Sequence, residues 1–99
     1  MERYSNRKFD ESGRIVLPIE LRKRMSLEIR ATVALHPVCG MIVFKTTGHE
    51  NSEECFTSKV DELGMITLSE ELRQKLDWQV RSDIAVYYVD DETVILKRV

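Results

Sequence analysis

The sequence is poor in the residues that build disulfide frameworks, membrane spans and glycine-rich phosphate loops. It has 99 residues, with two cysteines and four glycines. Two cysteines, Cys39 and Cys55, are too few for a disulfide scaffold, so we expect free thiols. No apolar run approaches the roughly 18 residues of a membrane helix. The first residues also lack the apolar stretch of a signal peptide, and the simplest expectation is a cytoplasmic protein with no membrane partner.

Signs of catalysis and of metal binding are equally scarce. No nucleophile is placed beside a base in an identifiable motif, and the chain is too short for a deep pocket. Four side chains could in principle bind zinc, namely His36, Cys39, His49 and Cys55. The first two fall in a predicted hairpin turn and the others in or beside a predicted linker. We therefore expect no enzyme activity, no metal site and no cofactor.

Charge is distributed unevenly along the chain. The net charge is −2, but residues 1–50 hold nine Lys/Arg against six Asp/Glu, giving +3. Residues 51–99 hold six Lys/Arg against eleven Asp/Glu, giving −5. A polyanion responds to the local patch rather than to the total, so the basic first half is a candidate nucleic-acid surface.

The two halves are also related in sequence. At an offset of 51, the 31 positions from Lys8 to Val38 contain twelve identities, where average composition gives about two by chance. The identical pairs are Lys8/Lys59, Asp10/Asp61, Glu11/Glu62, Gly13/Gly64, Ile15/Ile66, Leu17/Leu68, Glu20/Glu71, Leu21/Leu72, Arg22/Arg73, Arg30/Arg81, Ala34/Ala85 and Val38/Val89. The chain is therefore interpreted as one structural unit written twice.

Each copy predicts the same order of elements: a short strand, an Asp-Glu-x-Gly turn, a second strand, a short helix and a β-hairpin. The first strands are predicted at 7–9 and 58–60, and the hairpin strands at 32–36 with 41–45 and at 83–88 with 93–98. Aspartate caps the turn and glycine supplies the positive φ that it needs. The helices present buried stripes, Leu21/Met25 and Leu72/Leu76.

One unit alone cannot cover both of its apolar faces, whereas two units can close on each other. We therefore predict a mostly β (α+β) fold with short helices, a pseudo-twofold β-barrel over residues 1–99. The first repeat spans 7–47, the linker 48–57 and the second repeat 58–99. The residues alone leave open whether the copies close within one chain or swap with a second chain.

Residues 7–23 (RKFDESGRIVLPIELRK) resemble the signature of the AbrB/SpoVT family of swapped-hairpin DNA-binding domains. Residues 58–73 (SKVDELGMITLSEELR) are a second, less complete copy. The resemblance covers nearly the whole chain. It implies an AbrB-like swapped-hairpin barrel, formed here by tandem repeats as a pseudo-dimer. The tandem arrangement is similar to division regulators of the MraZ type, but their Asp-x-x-x-Arg motif survives only at Asp10–Arg14 and breaks at Asp61–Met65.

The resemblance further implies a transcription regulator that binds double-stranded DNA through basic residues of the first repeat. The matching positions are Arg7, Lys8, Arg14, Arg22 and Lys23. Arginine suits phosphate oxygens and the guanine edge, and lysine releases counterions. The counterparts of three of these residues are Ser58, Met65 and Gln74, so one chain is expected to carry one basic face. A symmetric DNA site would then need a homo-oligomer, a dimer of pseudo-dimers.

Two other functions remain open at this point. The same fold serves as the DNA-binding half of antitoxins, and the acidic second repeat could bind a basic protein partner. The chain could also be a protein-interaction module without DNA binding. The operator, the regulated genes and any effector are not encoded in a recognisable way.

Overall fold

Ten regular elements follow one another in the computed structural model, which describes residues 2–46 and 55–99. The first five are β1 (Glu2–Lys8), β2 (Arg14–Val16), α1 (Ile19–Arg24), β3 (Thr32–Val38) and β4 (Met41–Lys45). The second five are β5 (Phe56–Lys59), β6 (Met65–Thr67), α2 (Glu70–Leu76), β7 (Asp83–Asp90) and β8 (Thr93–Arg98). The mostly β composition with two short helices agrees with the fold class expected from the sequence.

The turn between the first two strands forms as predicted in both halves. Asp10 Oδ1 accepts hydrogen bonds from the backbone N–H of Ser12 (2.9 Å) and of Arg14 (3.0 Å). Asp61 Oδ1 does the same for Leu63 and Met65, both at 2.9 Å. The glycine that closes each turn has a φ of 79° in the first half and 81° in the second. Side-chain capping of backbone donors therefore fixes the direction in which β2 and β6 leave their turns.

The helices are short and differ at their starts. Pro18 stands at the boundary of α1 without a side-chain cap, whereas Ser69 Oγ accepts a hydrogen bond from Leu72 N at 3.2 Å in α2. Leu21 and Leu72 are buried against the core at 1% and 0% exposure, as the four-residue spacing predicted. Neither helix found in the described ranges is long and apolar enough to cross a membrane.

Six strands form one antiparallel sheet in the order β1-β7-β8-β4-β3-β5, and β2 pairs with β6 in a separate ribbon. The first strand of each half pairs with the hairpin of the other half, β1 with β7 and β5 with β3. The two hairpins meet at β4–β8 in the centre. Exchanging every strand for its counterpart reproduces the same order in reverse.

The mostly β class is confirmed, but the expectation of a closed barrel is wrong for the described strands. Among the described strands, the six-stranded sheet ends at β1 and β5, and no hydrogen-bonded closure joins them. The reason lies in β2 and β6, which are three residues long and pair with each other, so they cover the core as a separate ribbon. The linker was expected at 48–57, but its last two residues, Phe56 and Thr57, belong to β5. Residues 47–54, which include His49, lie outside the described residues.

Both halves share one core. Its largest fully buried side chains come from the ribbon, both helices, both hairpins and the residue after β1, and include Phe9, Ile15, Leu21, Phe44, Ile66, Leu72, Ile84 and Leu96. The rings of Phe9 and Trp78 stack across the halves with centroids 6.4 Å apart. The ribbon therefore lies over the inner face of the sheet, with its other face outside.

Candidate nucleic-acid interface

The ribbon formed by β2 and β6 presents four side chains outward. Ile15 and Ile66 pair in its middle and are fully buried. Because side chains alternate along a strand, the residues on either side of them point away from the core. These four residues are named the ribbon face, and they are Arg14, Val16, Met65 and Thr67.

The ribbon has two distinct ends. Arg14 is paired with Thr67 at one end, and Val16 is paired with Met65 at the other. Each end is closed by a backbone hydrogen bond to the adjacent turn, Leu68 N to Gly13 O (2.7 Å) at the Arg14 end and Leu17 N to Gly64 O (3.0 Å) at the Met65 end. Three residues of strand place the two ends about 7 Å apart.

Arg14 is held in place by Asp10. The Arg14 Nε donates to Asp10 Oδ2 at 2.9 Å, and Nη2 lies 2.9 Å from the same oxygen. The pKa of the Asp10 carboxyl is lowered, chiefly by the hydrogen bond from the Arg14 backbone N–H and further by that from Ser12 and by the guanidinium itself. The Arg14 side chain keeps 39% of its surface exposed, so the remaining donors face solvent.

Arg22 was expected to be a DNA contact, and the structure places it against the turn at the Met65 end. Its Nε donates to Leu17 O at 3.3 Å, and its guanidinium covers Gly64 so closely that a Cβ there would lie 2.8 Å from Nη2. Arg73 repeats this arrangement on Gly13, with Nε donating to Leu68 O at 3.1 Å. Arg22 therefore helps to join the two halves, with its half-exposed guanidinium at the rim of the ribbon.

The other three predicted residues lie beside the ribbon. Arg7 is half-buried on β1, which packs against β2; its Nη1 donates to Asn6 O at 3.3 Å, while its buried Nε has no hydrogen-bond partner among the described residues. Lys8 is exposed and paired with Asp83 at 3.0 Å. Lys23 is exposed on α1 next to Arg22. The structure therefore places Arg14 and Arg22 at opposite ends of the ribbon, with Arg7 and Lys8 on β1 and Lys23 on α1.

The sequence argument missed basic residues that the opposite half contributes to each end. Arg81 forms an ion pair with Glu11, and with Arg14 it lines an open cleft of about 420 Å³ at the Arg14 end. Arg30 pairs with Glu62 at 3.3 Å at the Met65 end. A signal for them was present, because Arg22/Arg73 and Arg30/Arg81 are the arginines identical in both copies. Positions kept in both copies mark the contacts that each half makes with the other's turn.

Searches with protein-family models and among curated proteins find no match to this chain. Among solved structures, the fold is similar to the solution structure of PHS018 from Pyrococcus horikoshii, with a TM-score of 0.56 and 20% sequence identity. The alignment covers 99% of this chain and 88% of that one. At this identity the likeness shows the fold alone.

Proposed function

We propose that the chain is a DNA-binding transcription regulator of the AbrB/SpoVT type. The observation that carries the proposal is the ribbon face, an exposed two-stranded surface with Arg14 at one end and Arg22 on the turn beside the other. The major groove of B-DNA, about 12 Å wide, admits a two-stranded ribbon. Such a regulator acts in the compartment that holds the chromosome, and a cytoplasmic location is part of the proposal.

The strand pairing supports the swapped-hairpin part of the proposal. In a swapped arrangement the hairpin of one unit pairs with the first strand of the other, and β1–β7 and β5–β3 follow that pattern. The chain then acts as a pseudo-dimer, with two units supplied by one polypeptide. The tandem sequence repeat, which covers the same elements, is the second support.

The residues proposed to contact DNA differ in whether a phosphate must first displace an acidic partner. Lys8 and Arg14 each have a carboxylate partner, so a phosphate has to replace or join that carboxylate. Arg22 and Lys23 have no acidic partner among the described residues, so their charges are available to phosphates directly. We therefore expect Arg22, Lys23 and the Arg7 guanidinium to supply most of the salt-dependent affinity.

The test is duplex-DNA binding by fluorescence anisotropy over a salt series. The double variant Arg14→Ala/Lys23→Ala removes one charge at each end of the ribbon while leaving Arg22 on its turn. The matched control is Lys97→Ala, an exposed lysine on β8, outside the core and on the side opposite the ribbon. Wild type should lose about four to seven decades of affinity per decade of salt, and the double variant should lower that slope by about 1.8.

Absence of binding at low salt would refute the proposal. Equal losses in Arg14→Ala/Lys23→Ala and in Lys97→Ala would place the DNA elsewhere on the molecule. A symmetric operator would further require two chains, each with one ribbon, because a ribbon whose ends differ cannot match a twofold site alone. Light scattering of the complex should then give two chains per duplex.

A second candidate function is binding of a basic protein partner by the second half, as in antitoxin-like proteins. An open cleft of about 320 Å³ runs along α2, and its lining includes two carboxylates, Glu70 and Asp77, and one arginine, Arg73. Two carboxylates on one open surface suit a cationic peptide. Lack of DNA binding together with binding of an oligo-lysine peptide that is abolished by Glu70→Gln/Asp77→Asn would favour this function.

A further inference from the structure

The two ends of the ribbon face offer different chemistry. The Arg14 end carries a guanidinium opposite a hydroxyl, that of Thr67. The two ribbon-face side chains at the Met65 end are apolar, Val16 at 41% exposure opposite the half-buried Met65, and the Arg22 guanidinium lies beside them on the Gly64 turn. In a dimer of identical units these ends would be equivalent. The duplication has made one ribbon with a polar end and an apolar end.

At the polar end, the contacts with Asp10 leave the outer edge of the Arg14 guanidinium available for a bidentate contact. Both Asp10 contacts use Nε and Nη2, the donors on one side of the guanidinium. The outer edge, formed by Nη1 and the second proton of Nη2, keeps two parallel N–H donors. That edge fits the O6 and N7 acceptors of guanine in the major groove. Because the Asp10 carboxylate already holds the guanidinium, the Arg14 side chain loses less conformational entropy on binding.

At the Met65 end, only one group of the major-groove surface is complementary to the side chains of Val16 and Met65. Val16 and Met65 have no donor or acceptor at their tips, so they cannot satisfy a base edge that is stripped of water. The single apolar group that B-DNA presents in the major groove is the 5-methyl group of thymine. Contact with it removes apolar surface from water on both sides.

We propose that the ribbon face reads duplex DNA in one direction, with Arg14 on a guanine and Val16 with Met65 on a thymine methyl group. The inference rests on the proposed DNA binding and adds to it a base preference and a polarity. The ends lie about 7 Å apart, so the two bases are separated by about two base pairs at a rise of about 3.4 Å. Asp10 is a positioning residue in this scheme, since it acts through Arg14.

The probe is a pool of duplexes with a random 12-base-pair centre, selected on the wild-type protein and sequenced. Selected duplexes should share a guanine and a thymine about two base pairs apart, in one order. They are then resynthesised with deoxyuridine for that thymine or 7-deazaguanine for that guanine. Loss of the methyl group should weaken binding about fourfold, and loss of N7 about fivefold or more.

Variants assign each base to its end of the ribbon. Val16→Ala should bind thymine and uracil duplexes more equally, and Arg14→Ala should bind guanine and 7-deazaguanine duplexes equally. Val38→Ala is the matched control, because that valine is 44% exposed and lies at the end of β3, away from the ribbon. Asp10→Asn keeps an oxygen that can accept the hydrogen bonds of the turn, and it removes one negative charge. It should bind unselected DNA more tightly while losing guanine preference, which a purely structural role would not produce.

The outcomes separate this inference from the proposed function. Salt-dependent binding without base enrichment, or enrichment that is insensitive to deoxyuridine and 7-deazaguanine, would overturn the directional reading and leave the DNA-binding function standing. Guanine at both ends of the footprint of a single ribbon would overturn it as well. Absence of any duplex binding would overturn both proposals.

Discussion

Residues 2–46 and 55–99 fold into the same series of elements, yet their side chains divide into two groups. One group of side chains is identical in both halves and joins them: the Asp/Gly turns, Arg22 with Arg73 on those turns, and Arg30 with Arg81 beside them. A second group differs between the halves and includes the ribbon face, the core pair Leu27 and Trp78, and the helix-end pair Arg24 and Lys75. The comparison indicates that the contacts of these arginines are matched in the two halves, whereas the ribbon face is not.

The two corners of the molecule at the C-terminal ends of α1 and α2, which contain Arg24 and its counterpart Lys75, show the difference between the halves most directly. In the first corner, Arg24 stacks 3.7 Å above the ring of Tyr88, and its Nη1 contacts Glu2 (2.8 Å) and the Tyr4 hydroxyl (3.3 Å). At the equivalent corner Lys75 stands near Pro37, and an open cleft of about 230 Å³ remains. The contacts of Arg24 are therefore structural, although this arginine lies in the basic half of the sequence.

The largest expected difference between the halves concerns the core. Trp78 is 4% exposed and stacks on Phe9, whereas Leu27, its counterpart, is 9% exposed at the rim. Trp78→Ala should cost about 3–5 kcal/mol of unfolding free energy and Leu27→Ala about 2 kcal/mol. Urea unfolding followed by circular dichroism measures both, since Trp78 is the only tryptophan and cannot serve as the fluorescent probe in its own variant.

If Trp78→Ala does not fold, the milder Trp78→Leu, which introduces the residue found at this position in the other half, is measured in its place. Ile19→Ala is a surface control, because Ile19 is 54% exposed. Equal costs at Trp78 and Leu27 would mean that the two corners are packed equivalently despite their different residues.

The glycines of the turns give the next largest effect. A Cβ on Gly13 would lie 2.8 Å from the backbone oxygen of Leu68, whereas a Cβ on Gly64 meets only the flexible end of Arg22. Both have positive φ, which costs alanine about 1–2 kcal/mol. We expect Gly13→Ala to cost about 2–4 kcal/mol and Gly64→Ala about 1–2 kcal/mol by urea unfolding.

Gly40 provides the reference for backbone strain alone. Its φ is 77° and no atom lies within 4 Å of its virtual Cβ, so Gly40→Ala should cost about 1 kcal/mol. If Gly13→Ala were no worse than Gly40→Ala, the contact between the first turn and Leu68 would not be tight. The halves would then not differ at their turns.

Much of the fold was predictable because it depends on local patterns. The turns followed from Asp10 and Gly13, and the helix faces from Leu21 and Leu72. The partner of each strand was harder to predict, because pairing of β1 with β7 depends on contacts about 80 residues apart in sequence. For the same reason Arg22 was assigned to DNA alone, although its guanidinium lies on the turn of the other half. Charge patterns locate basic residues, but they do not show which neighbour each one contacts.

The ribbon face offers a gain-of-function test of the comparison. Met65 holds the position of Arg14 and follows a turn whose aspartate, Asp61, makes the same backbone bonds. Met65→Arg should therefore form an Asp61–Arg pair at the second end and add a phosphate or base contact. The salt slope of duplex binding should steepen by about 0.9, with affinity rising several-fold at low salt.

Met65→Gln is the neutral control for that substitution, since it removes the apolar side chain without adding charge. An unchanged slope in Met65→Arg would show that only the Arg14 end touches DNA. A restored twofold symmetry of the ribbon should also shift the selected sequences toward guanine at both ends.

The smallest effect concerns the Asp10 carboxylate, which distinguishes the first turn by its added bond to a guanidinium. Its pKa lies below the ordinary value of 3.8, so its contribution to stability is present in full above about pH 4 and is lost as the pH falls through the lower folded value. Because the largest cause is the backbone N–H of residue 14, Arg14→Ala should raise the pKa only partway toward 3.8, as seen in a carboxyl-carbon NMR titration. Asp10→Asn should flatten the loss of stability below pH 4. A return to 3.8 in Arg14→Ala would instead make the guanidinium the main cause, and the two turns would then differ electrostatically more than their shared backbone geometry indicates.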